Sequence, residues 1–179
     1  MNESIQRLTQ LIQPPELSPP GRDWEEIFGE LGTRLPVDYI SFIDRYGGGQ
    51  IDDYLWVLEP HCANRHYDLI THRSERAEAF EMLWNSGERK PDELSLPGAD
   101  IVPWATTDNG EFLYWLIHPA APPEDWTIMV NEARGDWWEH FPVGCVEFLA
   151  STLSGDVASE ILDPEYFAGG HEFRPSSTF

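Results

Sequence analysis

The segment IVPWATTDNGEFLYWLI, residues 101–117, decides the fold class. Ile101 to Thr107 reads as a strand, Asp108-Asn109-Gly110 as a hairpin turn, and Glu111 to Ile117 as the returning strand. Side chains alternate across a strand, so Phe112, Tyr114 and Leu116 face one way and Leu113, Trp115 and Ile117 the other. Both faces are apolar. The spacing therefore predicts a strand in the middle of a sheet, covered on both sides.

Downstream, Trp126, Ile128 and Val130 alternate as a further strand, and Ala133-Arg134-Gly135-Asp136 turns it. Trp137 to Phe141 reads as a short edge strand. Val146, Phe148, Leu149 and Leu153 suggest a short helix stopped by Gly155. Residues 169–179 read as a mobile tail.

Upstream, the period changes. Residues 2–13 read as a helix with Ile5, Leu8, Leu11 and Ile12 on one stripe. Residues 13–21 contain four prolines and read as a loop. Asp23 suits the N-cap of a helix whose buried face is Trp24, Ile27, Phe28 and Leu31, with Gly32 ending it. Pro36 fits the first turn of the next helix, where its missing N–H does no harm. Tyr39, Phe42, Ile43 and Tyr46 recur at helical spacing before Gly47-Gly48-Gly49. Ile51 to Leu58 reads as a strand. Tyr67 to Ser86 reads as a longer helix with Ile70, Ala77, Phe80, Leu83 and Trp84 as its stripe. Helices, then hairpin strands, then a helix argue for α+β with an antiparallel sheet packed by N-terminal and C-terminal helices. The expected divisions are 1–20 for the first helix and Pro-rich loop, 21–163 for a single domain, and 164–179 for a flexible tail.

The chain has 179 residues, with 32 Asp+Glu against 11 Lys+Arg and a net charge of −21. The excess is uneven: residues 91–179 hold 16 acids and only Arg134 and Arg174. Nucleic acid and anionic lipid need basic groups to meet phosphate, so direct binding to either is not expected. No apolar run approaches the ~20 residues of a bilayer span. The first eleven residues lack the basic and apolar regions of a secretory signal. Two cysteines, Cys62 and Cys145, make no disulfide framework, and a cytoplasmic setting is expected. The acidic excess is either a solvated, self-repelling surface or a face that steers a basic partner, and composition leaves both open.

Catalytic and metal chemistry find little support. Gly47-Gly48-Gly49 follows a helix and precedes a strand, the reverse of a phosphate loop. His61, Cys62, His66 and His72 offer soft ligands without a Cys-x-x-Cys pair, so no metal or other cofactor is expected. Ser154 lacks the Gly-x-Ser-x-Gly context of a nucleophile elbow. His140 and Cys145 are near in sequence, but a base and its nucleophile are recognised by geometry rather than spacing. Pairs such as Asp52/Asp53 are uninformative among 32 acids.

Trp24-Glu25, Leu31-Gly32, Leu35-Pro36, Asp38-Tyr39, Phe42, Tyr46 to Gly49, Ile51 and Leu55-Trp56 form an ordered set. Pro103-Trp104-Ala105, Asn109-Gly110, Trp115, Phe141 and Glu147-Phe148-Leu149 continue it. The set resembles the SUKH superfamily, the Smi/Knr-type domains, over roughly residues 20–155. The resemblance implies an α+β fold and binding without catalysis. Many bacterial members resemble immunity proteins that neutralise polymorphic toxins, often nucleases; others resemble intracellular regulatory or scaffold domains.

The expected activity is therefore an acidic face laid over the basic site of a protein toxin, with a regulatory scaffold as the alternative. The expected contact residues are Asp52, Asp53, Asp108, Glu111, Asp136, Trp138 and Glu139, acids and aromatics of strand ends and turns. Trp137 and Trp138 would point to opposite faces of their strand, which leaves open one ring in the core with the other exposed, core packing being the plainer reading of each. Each acid also has a plain reading as a solvated turn residue.

Overall fold

The computed structural model describes residues 3–179. The elements in order are α1 (Glu3–Leu11), α2 (Trp24–Leu31), α3 (Val37–Tyr46), β1 (Gly49–Ile51), β2 (Leu55–Val57) and α4 (Leu69–Asn85). They continue with β3 (Asp100–Thr107), β4 (Phe112–Ile117), β5 (Thr127–Asn131), β6 (Trp138–Phe141), α5 (Cys145–Leu153) and β7 (Phe173–Pro175). The expected start of α1 at Asn2 lies outside the described residues. The strands form one seven-stranded sheet, order β6-β5-β4-β3-β2-β1-β7, with every pair antiparallel. The α+β class and the antiparallel sheet are as expected.

The 101–117 hairpin is the centre of the molecule. Leu113 and Trp115 face the larger core, where α1, α3 and α5 supply Leu8, Tyr39, Phe42 and Phe148. Tyr39 meets Trp115 edge-on at 4.8 Å between centroids, and its hydroxyl donates to the Leu58 carbonyl at 2.5 Å. Tyr114 and Leu116 face a smaller core with Phe80 of α4, Leu94 and Met129. Pro103 sits within β3, where a missing N–H would break a regular ladder. The register with β4 slips between Pro103 and Ala105, and this bulge accommodates it.

Local signals account for the helix ends. The Asp23 carboxylate accepts from the N–H groups of Glu25 and Glu26, both at 3.1 Å, and Gly32 closes α2 at φ 73°. Asp68 caps α4 in the same way, accepting from Thr71 N–H at 2.9 Å. Pro36 is the N-cap of α3, one position earlier than expected.

Three expectations are corrected. Ile51 to Leu58 is not one strand but the hairpin β1–β2, reversed at Asp52 and Asp53, both at φ 54°. Aspartate tolerates this left-handed region better than most residues, and Tyr54 N–H to Ile51 O, 3.1 Å, closes the turn. The stripe of α4 is displaced: Ala77 and Leu83 are exposed, while Leu69 and Phe80 are buried. The expected flexible tail from residue 164 carries an edge strand. β7 pairs with β1, and Phe173 packs edge-on against Phe42 and Tyr46 at 5.9 and 5.3 Å. Burying that ring and satisfying the β1 edge together outweigh the ordering cost of a short segment.

Candidate functional site

The turns β1–β2, β3–β4 and β5–β6 all lie at one end of the antiparallel sheet, because β1, β3 and β5 run the same way. Their contacts confirm the adjacency. Asp108 N–H donates to Tyr54 O at 3.0 Å, and a side chain built at Gly110 would touch Ala133. Four of the expected contact residues, Asp52, Asp53, Asp108 and Glu111, gather in the first two turns. Asp136 stands in the third, at the β6 edge.

Proximity does not make these acids equivalent. Asp52 is almost wholly enclosed, bonded to His171 Nδ1 at 2.7 Å and accepting from Glu172 N–H at 2.9 Å. It holds the segment that leads into β7. Asp53 is exposed and pairs with Arg174. Asp108 is exposed but accepts from the Trp56 indole at 2.8 Å and the Gln50 amide at 3.2 Å. Glu111 is half-buried, accepting from the Thr107 and Tyr54 hydroxyls.

The β6 residues divide in the same manner. Trp138 turns inward onto Phe80 and Tyr114, each at 5.5 Å, whereas Trp137 is 45% exposed. Of the tryptophan pair, Trp137 is the accessible ring and lies beside Asp136 and the Asp92-Glu93 turn. Glu139 accepts from the N–H of Glu160 at 2.7 Å and from the Ser159 hydroxyl, so it fixes a loop. The accessible groups at this end are therefore Asp53, Asp108, Asp136 and Trp137.

A second feature had no signal in the sequence. Glu59 is buried and forms a clasp with Arg22, the Ser176 hydroxyl and the Gly48 N–H, the last at 3.0 Å. It lies in a groove of about 600 Å³ between the Pro-rich loop, the Gly47-Gly48 turn and residues 175–178. Its acceptor sites are met by three separate segments, which gives it a structural role. Gly48 has no room for a side chain, since a Cβ would lie 2.6 Å from that of Glu59.

The remaining chemical candidates are dispersed. His61 bonds to Glu30, at 3.0 Å, and His72 Nε2 to the His66 carbonyl at 2.6 Å. Among the described residues no three His, Cys, Asp or Glu side chains are grouped as metal ligands. His140 bonds to Thr127, at 2.9 Å, and Cys145 contacts Asp38 at 3.6 Å. Burial and then the Asp38 carboxylate push the Cys145 thiol well up. Burial likewise raises Cys62. Both thiols are held in the protonated, weakly nucleophilic form. Among the described residues no helix is long and apolar enough to cross a membrane.

A thiosulfate sulfurtransferase of Azotobacter vinelandii is 40% identical to the chain over 63 residues, 34% of this chain and 23% of that protein. The chain thus spans less than a quarter of that relative's length. No solved structure matches the chain. The model of the SUKH_6 family, described as SMI1-KNR4 cell-wall, matches residues 22–149, from the loop before α2 to the middle of α5. That match spans most of the chain and takes in strands β1 to β6, and the protein belongs to this SUKH family.

Proposed function

We propose that the protein is a non-enzymatic, cytoplasmic binding domain of the immunity type, which covers the basic site of a protein toxin with an acidic face. The observation that carries this reading is the sheet end where Asp53, Asp108 and Asp136 stand on neighbouring turns with the exposed Trp137. A nuclease is the toxin class that best suits such a face, since its site must present positive charge to phosphate. Charge brings the partners together quickly but discriminates poorly. A large ring that loses its water on contact supplies the selectivity.

The short similarity to a sulfurtransferase suggests a rival, sulfur transfer through a cysteine. The raised thiols argue against it, because such chemistry needs a thiolate.

The test pairs the protein with the toxin encoded beside its gene. Co-expression should rescue growth, and Asp136→Asn with Trp137→Ala should abolish rescue. The association rate should fall by about tenfold or more between low salt and 1 M, as the Debye length shrinks to about 3 Å. Failure of rescue together with a salt-independent rate would sink the reading.

A further inference from the structure

A cleft of about 330 Å³ lies between α4 and the sheet, lined by Arg76, Phe80, Trp84, Lys90, Ile101 and Tyr114. Ile101 is at the start of β3, the opposite end of that strand from its acidic turn. The cleft adjoins the Trp137 edge through Trp138 and the 89–91 segment but shares no lining residue with Asp53, Asp108, Asp136 or Trp137, and nothing about it depends on a toxin.

Its charge is unusual for this molecule. Arg7, Arg22, Arg34, Arg65, Arg73, Arg89 and Arg174 each pair with a carboxylate. Among the described residues, Arg76 and Lys90, like Arg134 on the β5–β6 turn, form no such pair despite the surrounding excess of acids. Arg76 and Lys90 rest on rings instead. The Arg76 guanidinium lies 4.7 Å from the centroid of Phe80 and 4.8 Å from that of Phe112, with Nε donating to the Tyr114 hydroxyl at 3.0 Å. Lys90 Nζ lies 4.8 Å from the centroid of Trp84. Two acids also line the cleft, Glu81 and Asp100, and Asp100 is already bonded to Arg73 at 2.8 Å. The local balance left for an occupant is one positive charge.

Phe80 and Tyr114 form the enclosed floor of the cleft, and Trp84 is the part-exposed ring at its edge. That apolar lining selects a flat apolar body, and a single uncompensated charge selects a monoanion over a dianion. The volume is at the small end for ligand sites. We propose that this cleft binds a small planar carboxylate, its ring against the half-buried Trp84 and its carboxylate shared by Arg76 and Lys90. The guanidinium offers a forked donor set and the ammonium a mobile point charge, a pairing suited to one carboxylate.

Calorimetric titration of the full chain with benzoate and with indole-3-acetate tests this. Benzamide serves as the uncharged counterpart and inorganic phosphate as the anion without a ring. At least one carboxylate should saturate with a Kd at or below about 1 mM, and benzamide and phosphate should bind about fivefold more weakly or not at all. Lys90→Gln should weaken binding about fivefold, and Ala77→Trp, at an exposed lining position, should block it. Both changes lie on the surface, so they keep the test clear of any folding defect in an Arg76→Gln variant. No saturation by either carboxylate at 10 mM or so would overturn the proposal. Equal affinity for benzamide or phosphate, or indifference to both Lys90→Gln and Ala77→Trp, would do the same.

Discussion

At the scale of the residue, burial decides what each charged or ionisable group does. Arg22 and Glu59 are both largely enclosed, so neither can lose its partner cheaply. Arg22→Met should cost about 3 kcal/mol or more in urea unfolding, because it leaves a buried carboxylate without counter-charge. A loss below 1 kcal/mol or so would mean that Glu59 is solvated after all. Alkaline pH probes the hydroxyls and thiols. Desolvation pushes Tyr46 and Tyr54 up to about 12, and it also raises Tyr39, Tyr67, Tyr114, Cys62 and Cys145. In the unfolded chain the thiols ionise near 9.0 and the phenols near 10.0. The unfolded state then releases protons that the folded state keeps, so stability falls as pH rises above about 9. The melting temperature should be lower at pH 10.5 than at pH 8, and an unchanged value would contradict the burial of these groups.

Among the elements, β7 is the most informative. Gly49 of β1 faces it so closely that a Cβ would strike the Arg174 carbonyl and the Phe173 ring. Gly49→Ala should release residues 171–177 while the rest of the sheet stays folded. Hydrogen exchange should show their amides unprotected, and retained protection would show that the backbone yields elsewhere. Phe173→Ala should cost about 3 kcal/mol for the lost ring. How legible each element was follows from the range of its signal. The 101–117 hairpin was legible because its period-two pattern and Asn-Gly turn are local. The β1–β2 hairpin was hidden because its reversal uses two aspartates, residues equally at home in open loops. β7 was hidden because Phe173 is sticky only once α3 and β1 have built its socket. In α4, Arg76 lies over two rings, so an arginine fills a place that the apolar count assigned elsewhere. Site residues divided likewise. Acids could be placed on turns from sequence, but their hydrogen-bond partners come from distant segments.

For the whole molecule, a net charge of −21 is a standing repulsive load. Raising NaCl from 20 mM to 0.5 M should raise the melting temperature by a few degrees, since screening weakens repulsion between exposed acids more than it weakens buried pairs. A fall with salt would mean that surface ion pairs such as Arg34–Glu25 dominate instead. The placement of the two cysteines has a further consequence. Cys145 is 1% exposed at the seam of α3 and α5, whereas Cys62 is part-exposed at the mouth of a groove. A thiol reagent should modify the part-exposed Cys62 well before Cys145, which it reaches only when the helices part. The chain thereby carries its own stopwatch for opening, with one sulfur as the reference rate and the other to count each excursion.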